Sequence, residues 1–175
     1  MVSAFIGVGS NINPADNILK AIRMLSKEEH ILGISAVYET LPEEGLNQPR
    51  YYNCVVKIET TTSPEELKRK VLRKIEKDLG RKRSKEKYAA RTIDLDLILY
   101  DDLVLSTADV ILPDSHIVDR AYLAIPVYEL EPELVLPGSG RRIMEVASKL
   151  SRESMKPLND FTELLKKEII DGQKN

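Results

Sequence analysis

Apolar positions recur along this chain in two rhythms, one of period two and one near three and a half. Residues 4–9, Ala-Phe-Ile-Gly-Val-Gly, form a compact apolar run that predicts a first strand. Asn13 then reads as a helix cap, with Pro14 at the first helical position. Ile18, Ala21, Ile22 and Leu25 recur at i, i+3, i+4 and i+7, one buried helical face. Residues 30–39 predict a second strand. Leu41 to Arg50 holds two prolines and a glycine and predicts a loop. Tyr51 to Thr60 predicts a third strand. Ser63-Pro64-Glu65-Glu66 has the form of a capping box. Leu67, Val71, Ile75 and Leu79 make the stripe of a second helix, which Gly80 ends. Arg81 to Ala90 lacks large aliphatic residues and predicts a mobile loop, and Ile93 to Tyr100 predicts a fourth strand.

The resulting order, β-α-β-β-α-β, predicts an α+β fold of the ferredoxin-like kind, with a four-stranded sheet and two helices on one face. The remainder of the chain predicts a helical elaboration. Short segments at 119–130 lead to Pro132 and Pro137-Gly138. Ile143, Val146, Ala147 and Leu150 give one helical face, and Phe161, Leu164, Leu165 and Ile169 another. Residues 171–175 read as a frayed end. A single domain over 1–175 is expected, with its core over about 3–137 and a helical tail over about 141–171.

Composition agrees with a globular protein: 175 residues, 42% hydrophobic and 31% charged. No apolar run approaches the roughly 20 residues of a membrane-spanning helix, and no secretory signal is visible. A cytoplasmic monomer without membrane contact is the expectation. The lone cysteine, Cys54, lies within a strand and reads as a small core residue. His30 and His116 lack zinc-site spacing.

Charge changes the picture more. Residues 68–91 hold 12 of the 26 Lys and Arg against three acids, a local charge of +9 in a chain of net charge −2. Such a block attracts phosphates. It leads directly into Arg91-Thr92-Ile93-Asp94-Leu95-Asp96-Leu97. Strand alternation aims Asp94 and Asp96 to one side, and Ile93, Leu95, Leu97 and Leu99 to the other. Two carboxylates side by side repel, and a Mg²⁺ ion resolves that repulsion with hard oxygen ligands. Arg81, Arg83 and Arg91 bracket the preceding loop, and arginine offers two-pronged donors to phosphate oxygens. There is no P-loop motif, and Gly7-Val8-Gly9-Ser10-Asn11 departs from G-x-G-x-x-G. Metal and arginines together predict a polyphosphate site.

The sequence resembles the 6-hydroxymethyl-7,8-dihydropterin pyrophosphokinases. The resemblance rests on Gly9-Ser10-Asn11, Tyr38-Glu39-Thr40, Gln48-Pro49-Arg50-Tyr51-Tyr52-Asn53, Leu79-Gly80-Arg81, Arg91-Thr92-Ile93-Asp94-Leu95-Asp96, and Arg120-Ala121-Tyr122 with Pro126. It implies transfer of pyrophosphate from ATP to a pterin hydroxymethyl group, with release of AMP. It implies two Mg²⁺ ions at Asp94 and Asp96, and Arg81 and Arg91 as catalytic loop arginines. Tyr51 and Tyr122 would sandwich the pterin, with Asn53 and Thr40 on its edge. Glu76, Arg83, Tyr88 and Arg120 would lie on the nucleotide side.

Three positions depart from the family pattern. Asp114-Ser115 stands where many members carry histidine and a following aromatic or proline, with His116 two positions on. Ala89-Ala90 stands where Gly-Pro is frequent, and Leu41-Pro42-Glu43-Glu44 is more acidic than usual. Two rival readings remain at this level: pyrophosphoryl transfer to another small alcohol, and an RNA-binding module using the basic segment. The primary reading expects no nucleic-acid partner.

Overall fold

The computed structural model describes residues 1–42, 47–82, 86 and 89–174. It is a mixed α/β fold built on an antiparallel sheet. Strand β1 (Val2–Ser10) lies between β4 (Tyr51–Thr60) and β5 (Asp94–Tyr100), antiparallel to both. Strands β2 (His30–Ile34) and β3 (Tyr38–Thr40) pair in succession along the far side of β4. The single strand expected over 30–39 is thus broken at 35–37. There Ser35 donates its amide to Val55 O and accepts the Val55 amide on its hydroxyl.

Helix α1 (Pro14–Glu28) has the expected face, with Ile18, Ala21, Ile22 and Leu25 buried. Asn13 sits at its cap in a left-handed conformation, but its side chain makes no capping bond. Asn17 instead donates from Nδ2 to Ile12 O at 2.6 Å. Ser63 likewise makes no side-chain capping bond: its hydroxyl meets the Glu66 carboxylate at 3.4 Å rather than a backbone amide. The helical run after it comprises α2 (Pro64–Glu66), a π-helical stretch (Leu67–Leu72) and α3 (Arg73–Asp78). The wider π turn brings both Val71 and Leu72 inward beside Leu67 and Ile75, so the stripe is broader than a strict i, i+4 row. Gly80, at φ 77°, closes the run as predicted.

A two-stranded ribbon, β6 (Leu105–Ser106) with β7 (Ile111–Leu112), and a 3₁₀ turn (Ser115–Val118) lead to α4 (Ala121–Leu130) and α5 (Ile143–Ser148). The tail is more than helical. Its strand β8 (Met155–Pro157) pairs with β3 and widens the sheet to six strands, ahead of α6 (Asn159–Ile170). On α6, Leu165 and Ile169 point inward with Thr162, while Leu164 faces solvent. The expected fraying at 171–175 is corrected for its described part. Gly172–Lys174 forms a 3₁₀ turn. Gln173 bonds both the amide and the carbonyl of Ile31, at 2.9 and 3.1 Å.

Both sheet faces are covered, not one. Ala4, Ile6, Val8, Val56, Ile58, Leu95 and Leu97 form one core with α1, the π-helical turn, α3 and α6. Phe5, Val55, Ile98 and Leu99 form a second core with residues of α4 and α5. Strand alternation alone would place Leu99 beside Leu97. A β-bulge opposite Phe5/Ile6 inserts Ile98 as an extra residue, which turns Leu99 to the second face.

Candidate active site

The face of Gly7 and Gly9 on β1 carries the site. In the sheet register Gly7 lies beside Asp96 and Val55, and Gly9 beside Asp94 and Asn53. The missing side chains leave room above β1. A Cβ on Gly9 would lie 2.8 Å from Asn53 Oδ1, and one on Gly7 3.1 Å from Ile98 Cδ1. A cavity of about 330 Å³ opens there. Its walls include eight residues that the sequence marks as candidates: Thr40, Tyr51, Asn53, Arg91, Asp94, Asp96, Arg120 and Tyr122. Residues from β3, β4, β5 and α4, far apart in sequence, thus converge in one place.

On the wall formed by β3 and β4, Asn53 Nδ2 donates to Thr40 Oγ1 at 2.7 Å, a diagonal pair across the two strands. Tyr51 heads β4, and Tyr122 lies in the first turn of α4. On the β5 wall, Arg81 Nη1 donates to Asp94 Oδ1 at 2.8 Å, and Arg91 Nη1 pairs with Asp94 Oδ2. Burial works against the Arg91 charge, but the adjacent Asp94 carboxylate more than compensates, so its pKa lies above the ordinary value. Solvent reaches Asp96 through the cavity mouth, yet protein hems in its carboxylate on the other sides. That desolvation, followed by the charges of Asp94, Asp114 and Glu76, raises its pKa to about 7 against the opposing pull of Arg81.

Glu76 stands apart from the cavity. Its side chain is only 4% exposed and pairs with Arg81 Nη1. Its Oε1 also accepts the Leu95 amide at 2.9 Å, so a buried carboxylate seals the outer edge of β5. Arg83 and Tyr88 lie outside the described residues.

Sequence reasoning named Gly9-Ser10-Asn11, Leu41-Pro42 and His116 without giving them a task, and it missed Leu123. Gly9-Ser10-Asn11 works as a clasp. Asn11 donates its amide to Arg91 O at 3.1 Å and accepts the Arg91 amide on Oδ1 at 2.7 Å, while Ser10 Oγ donates to Thr92 O at 2.6 Å. The clasp fixes the backbone where the basic loop rejoins β5. Leu41, Pro42 and Leu123 add apolar wall. His116 also lines the cavity. The turn that carries it is tied to β5 by the Asp114 amide, which donates to Ile98 O at 2.8 Å, and is capped by Asp114 Oδ1 on the His116 amide. Cys54, though at the cavity floor, is buried, and its thiol is pushed up to about 12 by desolvation. It packs as a core residue, as expected.

The donor set fits a hard divalent cation. Asp94 and Asp96 offer carboxylates on one face, and desolvation, followed by the charges of Asp94, Asp114 and Glu76, disfavours a bare Asp96 carboxylate, a penalty that a bound cation would relieve. No group of three or more His, Cys, Asp or Glu is arranged to hold a metal among the described residues. Two carboxylates leave the remaining positions to water and substrate oxygens, which is the habit of Mg²⁺.

Paired carboxylates, arginines on one side and aromatics on the other are the equipment of a phosphate-transferring enzyme that takes a flat, polar acceptor. Comparison with known proteins gives the family. The sequence model of the 7,8-dihydro-6-hydroxymethylpterin-pyrophosphokinase (HPPK) family matches residues 5–132. The 2-amino-4-hydroxy-6-hydroxymethyldihydropteridine pyrophosphokinase of Haemophilus influenzae is 35% identical over 163 residues, covering 91% of this chain and 99% of that protein. The Aquifex aeolicus protein of the same name is 36% identical over 138 residues, covering 78% and 85%. Among solved structures, the Plasmodium falciparum HPPK-DHPS with pteroate matches with a TM-score of 0.70 at 13% identity, over 89% of this chain and 47% of that one. At that identity the likeness is one of fold. The chain belongs to the 7,8-dihydro-6-hydroxymethylpterin-pyrophosphokinase family.

Proposed function

We propose that this protein transfers pyrophosphate from ATP to the hydroxymethyl group of 6-hydroxymethyl-7,8-dihydropterin and releases AMP, as a step of folate-type pterin biosynthesis. One observation carries the reading: Asp94, Asp96, Arg91 and Arg120 share a single cavity with Tyr51, Asn53 and Tyr122. Family membership and the names of the relatives support it.

The pterin ring stacks between Tyr51 and Tyr122, and its polar edge meets Asn53 and Thr40. The paired Asn53–Thr40 contact supports that role, because it holds the amide in one orientation before the ring arrives. Arg81, Arg91 and Arg120 take the phosphates, with Arg83 and Tyr88 assigned to the nucleotide side by family resemblance. Glu76 acts behind them, holding Arg81. Asp94 and Asp96 would hold Mg²⁺, two ions by the same resemblance, and the metal would supply charge neutralisation on the triphosphate and activation of the attacking hydroxyl. The acceptor oxygen bonds to the β-phosphorus, and its proton passes to solvent. The bond from that phosphorus to the bridging oxygen breaks, and its electron pair leaves with AMP. The protein contributes alignment and fixed positive charge.

The finer structural reading is ferredoxin-like. The strand order β5-β1-β4 followed by β2 and β3, antiparallel at each pairing, supports it. We read the chain as one pyrophosphokinase domain acting as a cytoplasmic monomer, with no nucleic-acid partner. No helix among the described residues is long and apolar enough to cross a membrane.

The direct test combines ATP, Mg²⁺ and hydroxymethyl-dihydropterin with folded protein. AMP and the pterin diphosphate form in equal amounts. Absence of AMP above background refutes the reading. Asp94→Ala lowers turnover by roughly 10³-fold in the same assay.

A further inference from the structure

Both oxygens of Asp94 are already engaged. Arg81 Nη1 sits 2.8 Å from Oδ1, and Arg91 Nη1 is on Oδ2. The two guanidiniums come from opposite ends of the basic loop, and each arginine has a second anchor, Arg81 through the same Nη1 and Arg91 through its backbone. Glu76, a buried carboxylate, pairs with Arg81. The Asn11 clasp fixes the Arg91 backbone through its amide and carbonyl. The Arg81 and Arg91 side chains are only 16% and 31% exposed, so these are sheltered ion pairs rather than loose surface contacts.

From this geometry we propose that Arg81 and Arg91 act as resident counter-ions of Asp94, closing the metal site to free divalent cations until a polyphosphate draws them away. This rests on the proposed pyrophosphokinase function and adds a regulation to the same site. A cation arriving alone meets two positive charges on the carboxylate it needs. A cation arriving with a triphosphate brings the oxygens that arginine prefers, so the guanidiniums transfer to phosphate and Asp94 is released to the metal. The loop arginines thereby have two successive partners. Metal loading is therefore biased toward the cation that arrives with nucleotide.

The effect is measurable. With Arg81 Nη1 2.8 Å from Asp94 Oδ1 and a cation about 2.1 Å from the same carboxylate, the guanidinium charge would lie within roughly 5 Å of the cation and repel it even at the dielectric constant of water. After salt screening, removing that charge changes affinity by roughly five- to tenfold.

Calorimetry with Mn²⁺ as probe tests the proposal on the whole protein. Mn²⁺ is titrated without nucleotide into wild type, Arg81→Met, Arg91→Met and the charge-preserving Arg91→Lys. The preformed complex of Mn²⁺ with α,β-methylene ATP is titrated into the same set. Arg81→Met and Arg91→Met bind nucleotide-free Mn²⁺ roughly five- to tenfold more tightly than wild type. They bind the metal–nucleotide complex more weakly. Arg91→Lys stays near wild type in the nucleotide-free arm. Asp94→Asn in either methionine background abolishes the gain, which assigns it to this carboxylate. Melting curves establish that each variant is folded, and the two methionine variants report independently. If wild type binds the complex but neither methionine variant gains affinity for free Mn²⁺, the counter-ion proposal is overturned and the pyrophosphokinase reading stands. If wild type does not bind the complex at all, both fall.

Discussion

Replacing Glu76 tests the least obvious part of the architecture. Its carboxylate is 4% exposed, yet it serves two groups at once: the Leu95 amide at 2.9 Å and the Arg81 guanidinium. Strand β5 is an edge of the sheet, so among the described residues no neighbouring strand meets the outward Leu95 amide. In Glu76→Ala that amide is stranded in a buried setting, at a cost of about 1–3 kcal/mol. Arg81 also loses a sheltered partner. Breaking a buried pair costs about 3–5 kcal/mol when the surviving charge is left alone. Arg81 retains Asp94, so about half of that is expected, and the whole change comes to about 4 kcal/mol. Glu76→Gln keeps an acceptor for Leu95 and loses only the charge, for about 1–2 kcal/mol. Urea denaturation at neutral pH reads both values from the midpoint at constant m. A Glu76→Ala protein within about 1 kcal/mol of wild type refutes the assignment. A second readout separates positioning from bulk stability. In the folded Gln variant, turnover falls because Arg81 is less well held, while the KM for pterin stays unchanged.

Other expectations rest on the same geometry. The Asp96 pKa is about 7 in the folded protein and near the ordinary carboxylate range, about 4, when unfolded. Between those values the folded state binds the extra proton, so metal-free stability falls as pH rises through this window and levels off above it. Asp96→Asn removes that slope in melting curves and loses turnover, and a slope that persists in the variant refutes the source. Gly9→Ala places a Cβ 2.8 Å from Asn53 Oδ1, so the amide is displaced. Its KM for pterin rises while that for ATP does not, and equal shifts in both would count against the Asn53 assignment. Tyr122→Ala costs about 1–1.5 kcal/mol of ring contact, close to a tenfold rise in the KM for pterin. An unchanged KM removes Tyr122 from the pterin site.

Much of this protein was legible along the chain, and the reason is local. Apolar runs and periodicity, bounded by cap, proline and glycine signals, located the main strands and helices, because burial of one face imposes a repeat of two on a strand and nearly four on a helix. The same alternation put Asp94 and Asp96 on one side of β5 before any neighbour was known. Where tertiary packing intervened, local rules failed. The bulge at Ile98 carried Leu99 to the opposite core, and a π turn widened the stripe begun at Leu67. Asn13 and Ser63 kept their capping positions without their capping bonds.

The site divides along the same line. Residue types and spacing determined which side chains carry charge and which carry rings. They did not determine that Gly9 lies beside Asn53, that Glu76 backs Arg81, or that Asn11 clasps Arg91. Those contacts join separate segments of the chain, and strand order decides them. Strand order in turn depends on how two hydrophobic faces are buried at once, a property of the packed sheet that no window of sequence contains. Asp94 and Asp96 were therefore readable as a pair of carboxylates. The company that makes them a site, two arginines on one oxygen pair and an aromatic cavity alongside, exists only in the folded chain.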